Sequence, residues 1–62
     1  MSEPSDFLKE ATRLRDMARR ARRMAGQLSI DPDRLRLEDY ARELEAEAAD
    51  WERRAAADKT KE

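Results

Sequence analysis

The chain has no cysteine and no histidine among its 62 residues. Together these absences remove disulfides, thiolate nucleophiles, zinc sites built on sulfur or imidazole, and histidine acid–base work. Aromatic residues are nearly absent too, with one Trp, one Tyr and one Phe, and glycine occurs once. No apolar run approaches the length of a bilayer span, and no signal-peptide pattern is present. The expectation is therefore a cytoplasmic protein with no membrane partner. Charge, by contrast, is abundant: 47% of the residues are Asp, Glu, Lys or Arg, at a net charge of −1. Such polarity is typical of disordered chains unless the apolar residues are regularly placed. Here they fall at helical spacing, in a composition rich in Ala, Glu, Arg and Leu, as in long helices. Sixty-two residues make one small domain, spanning residues 1–62.

The stretch from Gly26 to Leu35 divides the chain. Asp31 reads as a helix N-cap, with Pro32 at the first helical position, where its missing N–H costs nothing. Ile30 before the cap and Leu35 beyond it have the spacing of a hydrophobic staple. Gly26 is placed inside the last turn of the first helix, because Leu28 continues the apolar pattern. Ser5 reads as the first helix's cap, with Ser2 as the alternative. The fold class that follows is all-α: a helix over about 5–28, a turn at about 29–31 and a helix over about 32–57. Residues 1–4 and 58–62 have no apolar anchor and are expected to fray.

Apolar residues of the first helix fall at Phe7, Ala11, Leu14, Ala18, Ala21, Ala25 and Leu28, an unbroken heptad of alternating four and three. The second helix repeats it at Leu37, Ala41, Leu44, Ala48, Trp51 and Ala55. From residue 11 onward one of the two heptad classes is alanine throughout, except at Arg34, which lets the helix axes come close. Folding at the turn sets Leu14 against Trp51, Ala21 against Leu44 and Ala18 against Ala48. The intra-hairpin core is thus expected to be Ala11, Leu14, Ala18, Ala21, Ala25, Leu28, Leu37, Ala41, Leu44, Ala48, Trp51 and Ala55. Flanking charges, not used in choosing this register, agree with it: Arg15 falls near Glu52, Arg22 near Glu45 and Glu10 near Arg54. Pairs of this kind select register and antiparallel sense more than they stabilise.

Met17, Met24 and Tyr40 make a second apolar stripe along one flank. A narrow alanine seam returns too little burial for the conformational entropy lost by about fifty ordered residues. The hairpin is therefore expected to pair with a second copy as a homodimeric four-helix bundle. Phe7, Leu8, Met17, Met24 and Tyr40 are assigned to that interface. Phe7 enters it because its register mate in its own chain is Asp58, which leaves it without an apolar neighbour. With the two turns at opposite ends, Phe7 and Leu8 would meet Ile30, Leu35 and Leu37 of the second copy.

No catalytic, metal or cofactor site is read from the sequence, and the protein is expected not to be an enzyme. Glu38, Glu45 and Glu52 repeat every seven residues, but they flank the core opposite arginines and have none of the histidines that di-metal bundles use. The remaining binding signal is electrostatic. Residues 5–28 hold seven basic and three acidic residues, and residues 31–58 hold ten acidic and five basic ones. Mutual complementation of the helices explains most of that asymmetry. Arg13, Arg19, Arg20 and Arg23 are left on the outward side, where they could grip phosphates. Asp16 lies among them and no aromatic is interleaved, so a solvated face is the stronger reading.

In its single hairpin, its alternating small and large core layers and its Asp-bearing turn, the chain resembles the Rop-like RNA-binding proteins. The resemblance is one of architecture, spans most of the chain and carries no diagnostic motif. It implies a homodimeric four-helix bundle that holds paired RNA loops on the outer face of its first helices. In that family the RNA-contacting face includes an aromatic, whereas Phe7, the one aromatic of the first helix here, belongs to the core class. The sequence is also similar to small arginine- and alanine-rich bacterial proteins, which implies no activity. Three functions remain: a self-associating interaction or scaffold module, a Rop-like RNA-binding regulator, and a helical adaptor or antitoxin-like protein that pairs with a different helical protein.

Overall fold

A computed structural model describes the backbone of residues 4–60 and the side chains of residues 5–57. Two helices, α1 (Pro4–Gln27) and α2 (Asp31–Thr60), fold back on each other through residues 28–30. The elements match the expected ones, but each end is displaced, α1 stopping at Gln27 rather than at Leu28. α1 starts at Pro4, which puts Ser5 inside the first turn rather than at the cap. At the second start, the Arg34 N–H donates to the Ile30 carbonyl at 3.1 Å, so Ile30 holds the cap position and Asp31 lies one residue inside. The Asp31 carboxylate accepts instead from Arg34 Nη2 at 2.8 Å. This one-residue shift also undoes the staple: Ile30 and Leu35 are both more than half exposed. Finally, α2 runs on to Thr60, since Ala55-Ala56-Ala57 are strong helix formers and no glycine or proline follows them. The fraying expected of residues 1–3 and 61–62 lies outside the described residues.

Gly26 is a helical residue, and none of the described residues has the positive φ of a left-handed cap. The Leu28 N–H closes the end of α1 with a tight bond to the Ala25 carbonyl, 3.1 Å long.

The seam is as narrow as the heptad implies. Among the described residues the buried core consists of Ala11, Ala18, Ala21, Ala25, Ala41, Ala48, Ala55, Leu14 and Leu44, with no buried side chain larger than leucine. Leu37 and Trp51 pack against it half-buried. Leu28 departs from the expected core: it is 36% exposed, because it follows the last residue of α1 and the helical period no longer sets its direction. The hairpin measures 50 × 15 × 13 Å. Its radius of gyration is 14.4 Å, against about 11 Å for a compact chain of this length. It exposes 4927 Å², where a compact monomer of this mass exposes about 4,200 Å².

A Cβ added at Gly26 meets nothing within 4 Å. Gly26→Ala is therefore expected to raise stability by about 0.4–1 kcal/mol, chiefly by restricting the unfolded chain. A urea or thermal melt reads this out, and a lower midpoint would contradict a helical Gly26.

Candidate interaction surface

The two flanks of the seam are built differently. On the first, Arg15 and Arg22 of α1 reach across to α2. Arg15 Nε and Nη2 donate to the two Glu52 carboxylate oxygens at 2.8 and 2.7 Å. Arg22 does the same to Glu45 at 3.0 and 2.7 Å. These planar two-point contacts fix the antiparallel register that the sequence indicated. Each arginine's hydrogen bond holds its glutamate below the ordinary carboxylate value, Glu45 through Arg22 and Glu52 through Arg15. This flank is closed by charge.

The other flank is not. The expected Glu10–Arg54 pair is absent. Glu10 is taken by Arg13 one turn along its own helix, at 3.1 and 2.5 Å. Arg54 instead lies over the Trp51 ring, 4.8 Å from its centroid, as a cation–π contact. A partner three residues away on one helix costs less ordering than one across the seam, and an indole face competes well for a guanidinium. With nothing bridging the helices there, two grooves open. The one nearer the free ends, about 410 Å³, is lined by Glu10, Arg13, Leu14, Glu47, Asp50, Trp51 and Arg54. The one nearer the turn, about 260 Å³, is lined by Met17, Arg20, Ala21, Met24, Leu37 and Tyr40.

The residues assigned to an interface are only partly brought together. Met17, Met24 and Tyr40 share the second groove; Met24 and Tyr40 are about half exposed, and the Met17 sulfur accepts from Arg13 Nη1 at 3.3 Å. Leu8 lies apart from them, half exposed in a shallow groove formed by α1 alone with Ser5, Lys9 and Thr12. Phe7 corrects the expectation outright: its ring packs on Trp51 of its own chain, centroids 5.4 Å apart and planes tilted by 42°. The Ala11 and Ala55 layer lies between the layers of these two rings. Its methyl groups leave room for the rings to meet over it, which gives Phe7 the apolar neighbour in its own chain that the register did not.

The arginines expected on one outward face are dispersed as well. Arg13 pairs with Glu10 and Arg19 with Asp16, while Arg13 and Arg20 line the grooves rather than the outer surface. Similar pairs three residues apart, Arg34–Asp31, Arg42–Asp39 and Arg53–Asp50, balance the surface of α2. Among the described residues no group of three or more acidic side chains is placed to hold a metal ion, and no helix is long and apolar enough to cross a membrane. The groove nearer the turn was legible as the stripe of Met17, Met24 and Tyr40, whereas the one nearer the free ends was missed because Arg13 was assigned to the outward face. The signal was available in the alternation of Arg13 and Arg20 on α1 against Glu43 and Asp50 on α2. No protein-family model matches the chain, and no curated protein or solved structure shows significant similarity to it.

The lowered values of Glu45 and Glu52 fix the sign of the pH dependence. A carboxyl held below its unfolded value stabilises the fold above that value and loses this effect as pH falls through the native one. The melting temperature is expected to be level from pH 7 to about 5 and to drop below the ordinary glutamate value of 4.5. Glu45→Gln with Glu52→Gln should flatten that drop; an unchanged acid limb would locate the sensitivity elsewhere.

Proposed function

We propose that the chain is a non-enzymatic helical interaction module that associates with a second copy of itself through the flank carrying Met17, Met24 and Tyr40. One observation carries the reading. Among the described residues seven alanines and two leucines are buried, yet Leu8, Met24, Leu28, Ile30, Leu35 and Tyr40 are exposed. A protein whose larger apolar side chains are outside and whose methyl groups are inside has its folding and its association coupled. Burying the apolar flank against another helical surface supplies the area that the seam lacks.

A Rop-like RNA-binding role for Arg13, Arg19, Arg20 and Arg23 is the second reading. It draws support from Arg20 and Arg23, which enter no ion pair among the described residues. It is weakened by the neutralising partners of Arg13 and Arg19, by the placement of Arg13 and Arg20 on the groove flank, and by the missing aromatic on the outer face. Pairing with a different helical protein would use the same apolar flank.

Sedimentation at micromolar concentration is expected to return a dimer mass. Met17→Glu with Met24→Glu should dissociate it and abolish helicity together; unchanged mass and helicity would place the interface elsewhere. A monomer that is stably folded at high dilution would overturn self-association and leave a different protein as the occupant of the flank. A gel shift with structured RNA is expected to give no salt-sensitive complex. A complex that weakens steeply with salt would instead favour the phosphate-binding reading.

A further inference from the structure

Resting on the self-association just described, we infer that the second copy docks with its turn at the same end. The twofold axis then runs parallel to the helices and lays α1 of each copy on α2 of the other. Two observations on the open flank lead to this geometry.

The first is the distribution of apolar surface. Of the six exposed large apolar side chains among the described residues, Met24 and Tyr40 line this flank in the third of the hairpin next to the turn, and Leu28, Ile30 and Leu35 lie around the turn at the same end. At the free ends the flank carries five charged side chains, Glu10, Arg13, Glu47, Asp50 and Arg54, around Leu14 and Trp51. Turns at opposite ends would lay the apolar end of each copy over these charges, where Phe7 is already packed on Trp51 of its own chain. Turns at the same end place apolar on apolar and leave the charged ends together.

The second is the order of charge along the two helices. The register fixed by Arg15–Glu52 and Arg22–Glu45 sets Glu10 level with Arg54, Arg13 with Asp50, Arg20 with Glu43 and Met24 with Tyr40. An axis parallel to the helices repeats these same pairings between copies: Arg20 meets the partner's Glu43, and Met24 meets the partner's Tyr40. An axis across the helices, centred on the methionines, sets Arg20 beside the partner's Arg20 and Glu43 beside the partner's Glu43. Neither Arg20 nor Glu43 takes part in an ion pair among the described residues, so both are available to a second copy. Like charges face to face in a closed interface are strongly disfavoured, and opposite ones fix orientation. The 50 × 15 Å face is also of the size, about 800 Å² per partner, that stable interfaces bury.

The absence of cysteine makes single-cysteine cross-linking unambiguous. Full-length Arg20→Cys and Glu43→Cys chains are mixed, sedimented, and oxidised with copper phenanthroline. The same-end dimer gives a disulfide between the two variants and none within either variant alone. Met24→Cys mixed with Tyr40→Cys gives the same pattern while keeping the Arg20 and Glu43 charges. Rapid cross-linking of Arg20→Cys with itself, or of Met24→Cys with Met17→Cys, would overturn the same-end geometry and leave the dimer standing. A dimer that forms neither set of bonds would overturn the assigned face. A monomer mass for the unaltered chain would overturn the self-association on which all of this rests.

Discussion

The seam between the helices is made of methyl groups, and the rest of the structure depends on that choice. Alanine at successive heptad positions lets two helix backbones come close and interlock in one register. It also means that each layer removes little apolar area from water. The chain therefore gains a well-defined pairing of its halves without a large core, and its bigger apolar side chains are left at the edges. Among the described residues Leu14 and Leu44 are the only buried side chains larger than alanine, and Phe7, Trp51 and the Arg54 guanidinium stack near the free end over an alanine layer.

From this follows the asymmetry between the flanks. Arg15 and Arg22 cross the seam and bind both oxygens of their glutamates, so one side is tied by charge. On the other side the bridging pair does not form, because Glu10 and Arg54 each find a nearer partner. What opens there is a channel that is charged toward the free ends and apolar toward the turn. A hairpin polarised along its length in this way has one end that profits from being covered and one that does not, and this limits how a helical partner can lie on it.

Much of this was legible in the sequence. The heptads at Ala11, Ala18 and Ala25 and at Ala41, Ala48 and Ala55 located the seam to the residue. The Arg15–Glu52 and Arg22–Glu45 contacts followed from counting across the turn. The failures share a cause. Phe7–Trp51, Glu10–Arg13 and Arg54 over Trp51 each replaced a partner at the matching level with one displaced along the helix or across an alanine layer. Heptad bookkeeping assigns partners by level, whereas long side chains choose among everything within reach. Leu28 and the cap at Ile30 failed for a related reason: periodicity stops at a helix end, and one residue there reverses a side chain's exposure.

By itself, the sequence determined the two helices, their antiparallel register and the alanine core, because each is set by backbone periodicity and by residue size at fixed spacing. Only the tertiary structure decided which flank is closed and which is open. That outcome turns on competition among flexible arginine side chains for nearby carboxylates and an aromatic face, and such a competition is resolved by distances in space rather than along the chain.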